Sequence, residues 1–469
     1  MQAPDEAILE VTKASSDLAT QIKPVLPRNR RPAMTRRIAE LASEPSLFEA
    51  QRWFSRERAW TNERHLQVCR IPAPTFFEQR RAEWFCDQLK GLGWQARLDR
   101  AGNVLAAFEE APNSGNRGGT PWVALTAHLD TVLSPRPDDI QVNPDGRLTG
   151  PGVSDNGAGL AALLSMARVL AEIEDLHTLA RSVLLVANVG EEGEGNLSGM
   201  RYLCSQPALM ARIDAFIVLD GPSLEHITSQ ALASRRFEVV FTGPGGHSWN
   251  DHGTPNPIHA LCLAITSFTQ AADARIAGAS PVRCAYNFGI IDGGSSINSI
   301  ASSARAKLDL RSEDTLLLEE LSATLTHAVE RSLETHNRAG RSVRMAAKIK
   351  ELGSRPGGKL PEGSPLLETV EAVDAYLGIR TRVDCASTDA NIPLSMERAA
   401  ISIGTGGQGG GAHTAQEWYQ PEGREVGLRR ILLLVAALSA QAVVRDSKES
   451  AQASMREAND ESPLNGHSE

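Results

Sequence analysis

The chain has 469 residues, of which 41% are hydrophobic and 22% are charged, so it is long enough for two or three domains with well-filled cores. Its 48 basic and 57 acidic residues give a net charge of −9. This charge argues against a nucleic-acid or membrane-surface partner, because both attract a basic excess. No apolar run reaches the roughly 18–20 residues that cross a bilayer, so we predict no transmembrane helix.

Six cysteines are scattered along the chain without a C-x-x-C pair. The first residues also lack the basic and apolar segments of a secretory signal. We therefore expect reduced thiols in a cytoplasmic protein, rather than a disulfide framework or a thiolate zinc site.

Residues 1–50 are polar, broken by proline and rich in arginine, and we interpret them as an N-terminal extension with a solvated surface helix. The runs 122–130, 181–190 and 215–221 are continuously apolar, as expected for strands that are buried on both faces. Between the first two runs, GAGLAALLSMARVLAEIE has the apolar spacing of a helix. This order predicts a mostly parallel α/β sheet with helices on both faces, whose sites form at the carboxyl ends of the strands.

The segment 234–350 follows a different order, β-α-β-β-α-β, which is typical of a ferredoxin-like α+β unit. Its predicted elements are strands at 237–243, 283–291, 304–312 and 341–350, and helices at 257–272 and 315–336. We expect an inserted lid or dimerisation domain here, between catalytic parts at 51–233 and 351–446. The polar, acidic tail 447–469 is predicted to be disordered, after a helix at 422–445.

Histidines and acidic residues stand at successive strand ends. They are His128 and Asp130 in H-L-D, Asp155 in GVSDNGAG, Glu191 and Glu192 in VGEEGEG, Asp220 in VLDG, and His413 in GGGAHTAQEW. Imidazole and carboxylate without thiolate suit zinc, manganese or cobalt. Five of these residues are candidate ligands, which is too many for one tetrahedral ion with an open position. We therefore predict two divalent ions that share one bridging carboxylate, with zinc as the first choice.

From Pro72 to about residue 445 the sequence resembles the co-catalytic zinc peptidases that include peptidase T, the glutamate carboxypeptidases and the aminoacylases (metallopeptidase family twenty). H-x-D, the D-N pair, E-E, the later aspartate, G-G-H-S and the final histidine all occur in the family's order. Each motif alone has an ordinary structural role, such as a helix cap or a surface charge. All of them together, in this order and at strand ends, make a specific signature.

The resemblance implies a role for each residue of the predicted centre. Asp155 would bridge the two ions, with His128 and Asp220 on one ion and Glu192 and His413 on the other. Asp130 would orient His128, as carboxylates behind metal-bound histidines do. Glu191 would be the general base that takes a proton from the attacking water.

The resemblance also implies substrate contacts from the inserted domain. His247 in GPGGHSWN would stabilise the oxyanion, Asn298 and Arg311 would hold the substrate, and Arg355 in SRPGG is a further candidate. The residues themselves equally allow a surface turn for His247, a salt bridge for Arg311 and a hinge role for Arg355. In the family, His247 often comes from the neighbouring subunit, which implies a homodimer through the inserted domain.

These observations lead to three functional hypotheses. The first is an exopeptidase acting on short peptides, of the di- or tripeptidase, aminopeptidase or carboxypeptidase type. Aspartate at position 220 accompanies peptidases in the resembling family, whereas aminoacylases usually have glutamate there. The second hypothesis is a deacylase of N-acyl or N-carbamoyl amino acids, and the third is a binding protein that kept the fold without the catalysis.

Overall fold

The computed structural model describes residues 31–108, 121–339 and 343–460 of the chain. The helices are α1 (Arg31–Ala42), α2 (Pro45–Arg56), α3 (Arg58–Cys69), α4 (Gln79–Gly91), α5 (Gly157–Glu172), α6 (His177–Arg181), α7 (Ser198–Cys204), α8 (Pro207–Met210), α9 (Pro257–Gly278), α10 (Thr315–Ala339), α11 (Pro365–Leu377), α12 (Asn391–Ser395) and α13 (Arg424–Asp460). Short 3₁₀ turns lie at Pro137–Asp139, Glu174–Leu176 and Gly193–Gly195.

The strands of the described residues are β1 (Gln95–Leu98), β2 (Val104–Ala107), β3 (Trp122–His128), β4 (Gln141–Val142), β5 (Leu148–Thr149), β6 (Val183–Asn188), β7 (Ile213–Leu219), β8 (His226–Ala231), β9 (Ala233–Thr242), β10 (Gly246–His247), β11 (Cys284–Gly293), β12 (Ser299–Ile300), β13 (Ser303–Ser312), β14 (Ala346–Arg355), β15 (Gly358–Lys359), β16 (Arg382–Ala386), β17 (Ala399–Ile403), β18 (Gln408–Gly410) and β19 (Trp418–Gln420).

The catalytic domain is built on a nine-stranded sheet with the order β1-β2-β6-β3-β7-β17-β8-β15, in which β16 also pairs with β8. Within this sheet, β3 runs parallel to β6 and to β7, and β7 also runs parallel to β17. Every residue of β3 and of β6 is buried, because helices cover both faces of the sheet. The predicted fold class is therefore confirmed, and the carboxyl ends of β3, β6 and β7 meet at one edge.

The inserted domain contains an antiparallel four-stranded sheet with the order β11-β13-β9-β14, covered on one face by α9 and α10. In β13 the residues Ala304, Ala306, Leu308 and Leu310 are buried, and the residues between them lie on the other face. Apart from the two-residue strands β10 and β12, the chain order β9-α9-β11-β13-α10-β14 is the predicted one. These elements extend over residues 233–355 and share a hydrophobic core of their own.

Both ends of the chain differ from the expectations. The predicted extension 1–50 is not separate over its described part, because α1 buries Ile38 against Val373 and Leu433, and α2 buries Leu47 in the main core. Residues 1–30 lie outside the described part of the chain.

The last helix continues to Asp460, through much of the tail 447–469 that was expected to be disordered. That polar stretch is rich in alanine, glutamate and serine and contains no proline or glycine before Pro463, so a helix can continue there without an apolar face. Residues 461–469 are not among the described residues. None of the helices that the structure describes is both long and apolar enough to span a membrane.

Candidate metal centre

The five predicted ligands meet at the carboxyl edge of the central sheet. His128 is the last residue of β3, Glu192 follows β6, Asp220 follows β7 directly, and Asp155 precedes α5. His413 reaches the same place from the loop between β18 and β19. One ligand atom from each of His128, Asp155 and Glu192 lies within 4.8 Å of the other two.

Asp155 stands at the middle of the group, with one oxygen toward each histidine. Its Oδ1 atom is 3.0 Å from Nε2 of His128, and its Oδ2 atom is 3.1 Å from Nε2 of His413. Nε2 of His413 is also 3.0 Å from Oε1 of Glu192, and Nε2 of His128 is 3.9 Å from Oδ1 of Asp220. The aspartate therefore links two pairs of side chains, as a carboxylate shared by two ions must do.

The crowding of buried and partly buried carboxylates gives the centre its electrostatic character. Removal from water, together with repulsion from Asp155, raises the pKa of Asp220 to about 7, and the same two causes raise the pKa of Glu192. Burial also opposes ionisation of Asp155, but hydrogen bonds with His128 and His413 hold its pKa below its ordinary value. Carboxylates packed this closely need positive charge to remain ionised together, so the donor set fits divalent cations.

The pKa of His413 is also raised, but for an imidazole this shift favours the charged form. Its hydrogen bond to Asp155, with the nearby charge of Glu192, raises the pKa of the imidazole to about 9 despite some desolvation. The side chain is 53% exposed, and its φ of 65° lies in the left-handed region. The glycine-rich loop before it, with Gly411 at φ 70°, leaves this side of the centre open to a substrate.

Asp130 orients the imidazole ring of His128. Its Nδ1 atom is 3.0 Å from the main-chain oxygen of Asp130, which can only accept, so Nδ1 carries a proton. Nε2, which hydrogen-bonds to Asp155 here, would bind a cation after losing its own proton. The Asp130 carboxylate is 3.5 Å from Nδ1. It also accepts hydrogen bonds of 3.0 Å from the main-chain N–H groups of Glu191 and Glu192 and one of 2.9 Å from Thr75 Oγ1. Asp130 thus fixes both the histidine and the turn that carries the two glutamates.

The two adjacent glutamates have different partners. Glu192 turns toward His413, whereas the carboxylate of Glu191 accepts a 2.8 Å bond from Nη1 of Arg355. Glu191 is buried, and burial raises its pKa well above the ordinary value although the charge of Arg355 opposes this. A carboxylate with a raised pKa, next to a ligand but turned away from it, is chemically suited to accept a proton.

Glu417 was not singled out in the sequence. Its buried carboxylate accepts hydrogen bonds from the main-chain N–H groups of Gly152, Ser154 and Asp155 at 2.7, 2.7 and 2.8 Å. It therefore holds the loop that presents Asp155. In the sequence, the feature that could have drawn attention to Glu417 is its position four residues after His413.

Asp389 was also missed. It is fully buried, and its carboxylate accepts a 2.6 Å hydrogen bond from Nδ2 of Asn188 at the end of β6. Burial raises its pKa to about 6, although the charge of His128 opposes this. Asp389 adds a further carboxylate behind the candidate ligands. No buried apolar run precedes it in the sequence, so its position at the centre could not be predicted.

Of the candidates from the inserted domain, Arg355 reaches the centre through its bond to Glu191, and the contacts described for the other three lie within the inserted domain. The imidazole of His247 is exposed and accepts a 3.2 Å hydrogen bond from the main-chain N–H of Trp249. The main chain of Asn298 is adjacent, since its oxygen accepts from Ser248 at 3.0 Å. Arg311 is paired with Asp309 at 2.8 Å, so its side chain makes a salt bridge within the lid sheet.

Comparison with known proteins agrees with this architecture. The model of peptidase family M20/M25/M40 matches residues 124–437, well over half of the chain. An acetylornithine deacetylase from Yersinia pseudotuberculosis is 26% identical over 266 residues, which are 53% of this chain and 64% of that protein. The chain therefore spans less than two thirds of that relative's length.

Two solved structures share the fold. A tripeptidase from Staphylococcus aureus subsp. aureus Mu50 superposes with a TM-score of 0.63 at 18% identity, covering 81% of this chain and 98% of that one. The YXEP protein of Bacillus subtilis, a dinuclear metal binding peptidase from the M20 family, superposes with a TM-score of 0.57 at 16% identity, covering 81% and 98%. The family match covers residues 124–437, which include most of the central sheet, so the chain belongs to peptidase family M20/M25/M40.

Proposed function

We propose that this protein is a dinuclear metal-dependent exopeptidase that cleaves an amide bond in short peptides. The observation that carries the proposal is the position of Asp155, whose two oxygens lie 3.0 and 3.1 Å from histidines of two different segments. His128 and Asp220 would hold one ion, Glu192 and His413 the other, and Asp155 both. Zinc is our first choice, with manganese or cobalt as alternatives, since a site of carboxylates and imidazoles discriminates weakly among these ions.

Two divalent ions, when bound, lower the pKa of a water molecule and polarise the carbonyl group that it attacks. Glu191 accepts the proton of the water and passes it to the leaving amine. It is suited to this transfer because it is buried next to the proposed ligand Glu192. Asp130 keeps His128 and the main chain of Glu191 in place during this transfer. His247 would donate to the oxyanion, and Asn298 and Arg311 would hold the substrate, after the lid of this subunit or of a partner has closed.

A deacylase of N-acyl or N-carbamoyl amino acids is the second candidate, and the acetylornithine deacetylase relative favours it. The same centre could carry out both reactions, so only a comparison of substrates distinguishes the two activities. The third hypothesis, a binding protein without catalysis, is disfavoured because His128, Asp155 and Glu192 lie close enough together to hold a metal ion and His413 contacts Asp155.

The test is hydrolysis by the purified chain after removal of metal with a chelator and reloading with zinc, manganese or cobalt. The substrates are tripeptides, dipeptides, N-acetyl amino acids and N-carbamoyl amino acids. We expect activity to disappear with the chelator, to return with at least one ion, and to be highest on peptides. Cleavage that resists the chelator contradicts the metal mechanism, and hydrolysis confined to acyl or carbamoyl amino acids selects the deacylase instead.

We further propose a homodimer formed through the inserted domain, in a reducing compartment such as the cytoplasm. β11 is an edge strand of the lid sheet, and Ile290 and Ile291 on it are 48% and 59% exposed. Ile297 beside Asn298 is fully exposed, so pairing of two lids would cover apolar surface. The reducing compartment is proposed because all six cysteines are free. Sedimentation is expected to show a dimer, and a fully active monomer would remove this part of the proposal.

A further inference from the structure

Arg355 links the last strand of the lid to the proposed general base. It is the final residue of β14, and its side chain enters the catalytic domain, where the residue is only 8% exposed. Nη1 donates to Oε1 of Glu191 at 2.8 Å, and Nη2 donates to the main-chain oxygen of the same residue. One guanidinium therefore binds both the side chain and the peptide of Glu191.

The remaining hydrogen-bonding capacity of Arg355 is limited. Nη1 also donates to Oγ of Ser387 at 3.0 Å. Nε is buried and has no hydrogen-bond partner among the described residues. A guanidinium that captures a substrate carboxylate presents two parallel N–H groups to the solvent-filled cleft. In Arg355 both terminal nitrogens are engaged by protein atoms, and the group is out of water.

Two more arginines connect the same loop to the lid. Nη1 of Arg236, on β9, donates to the main-chain oxygen of Gly193 at 2.7 Å. Arg201 donates through Nε to the main-chain oxygen of Asn196 at 2.9 Å and through Nη2 to the main-chain oxygen of Ser354. The turn that carries the two glutamates is thus held to the strands where the chain enters and leaves the lid.

We propose that Arg355 is a positioning residue, which holds the carboxylate of Glu191 in its place for proton transfer, and not a ligand of the substrate carboxylate. The inference rests on the proposed function, because it assigns Glu191 its task. Two bonds to one residue fix the carboxylate and its peptide together, and a displacement of about 1 Å in a catalytic group is enough to slow a reaction about a hundredfold. Because Arg355 is the last residue of β14, its bond to Glu191 also ties the position of the Glu191 carboxylate to the end of this lid strand.

The test uses Arg355→Met and Arg355→Lys, with Arg275→Met as the matched control, because Arg275 is a lid arginine on α9 that is 48% exposed and paired with Glu320. On one substrate that the unaltered enzyme hydrolyses, Arg355→Met is expected to lower kcat by about tenfold to a hundredfold at a KM within twofold. Arg355→Lys should recover part of kcat, because an ammonium group can make one of the two bonds. A raised KM at unchanged kcat in Arg355→Met, or no change in either constant, overturns the proposal.

A second readout does not depend on turnover. Amide hydrogen exchange in the segment 190–197 is expected to become faster in Arg355→Met than in the unaltered protein, and to stay unchanged in Arg275→Met. Unchanged exchange in Arg355→Met contradicts the positioning contact whatever the activity. If the unaltered protein hydrolyses none of the substrates but this exchange still accelerates, the proposed function fails while the contact between Arg355 and Glu191 stands.

Discussion

Replacing Glu191 with glutamine is expected to lower kcat by about a thousandfold, within the range of about 10²–10⁴ that general bases contribute. Glutamine keeps the shape of the side chain and an oxygen that can accept from Nη1 of Arg355, but it cannot take a proton. The metal content should be unchanged, because Glu191 faces Arg355 and its neighbour Glu192 faces His413. Steady-state kinetics and metal analysis of the same preparation measure both effects.

Two neighbouring substitutions serve as controls for this result. Glu192→Gln is expected to lose bound metal together with activity, since it removes a negatively charged ligand. Glu194→Gln changes an exposed glutamate in the same turn and should alter neither. Loss of metal in Glu191→Gln, with retention in Glu192→Gln, would show that the roles of the two adjacent glutamates are exchanged.

Removing the carboxylate of Asp374 is expected to lower the free energy of unfolding by about 3–5 kcal/mol, the cost of leaving one member of a buried ion pair alone. Arg430 on α13 is fully buried, and its Nε and Nη2 donate to the two carboxylate oxygens of Asp374 on α11 at 2.7 Å each. In Asp374→Ala the guanidinium would stay in the core without its charge partner. Urea unfolding followed by tryptophan fluorescence measures the loss.

The matched control is a surface pair of the same domain. Arg58 lies 3.1 Å from Glu425, and the two side chains are 51% and 20% exposed, so solvent screens their attraction. Arg58→Ala should therefore cost less than about 1 kcal/mol. Equal losses in the two variants would contradict the claim that burial makes the Asp374 pair important.

Much of the catalytic domain could be predicted because its strands are covered on both faces. Continuous apolar runs then identify β3, β6 and β7 directly, and parallel order brings His128, Glu192 and Asp220 to one edge. The lid was equally predictable from the order of its elements. Its last strand was placed too early, at 341–350 instead of Ala346–Arg355.

The parts that could not be predicted depend on contacts between distant residues. Glu417 holds Asp155 from 262 positions away, and Arg355 reaches Glu191 across 164 positions. Arg355 was a candidate from its motif, but no local pattern predicts that either side chain makes these contacts, since each is a single charged residue in a loop or at a strand end. The polar end of α13 escaped prediction for a different reason: helix propensity alone extends it where no apolar face signals a helix.

The position of β17 in the sheet has a consequence for how the protein is made. This strand, Ala399–Ile403, lies between β7 and β8, parallel to one and antiparallel to the other. A ribosome must therefore finish the lid and about fifty residues beyond it before the gap in the sheet can be closed. Until then the edges of β7 and β8 are open to wrong partners, and such edges favour aggregation. His413 leaves the ribosome later still, so the proposed pair of cation sites cannot be completed until every strand of the central sheet has been synthesised.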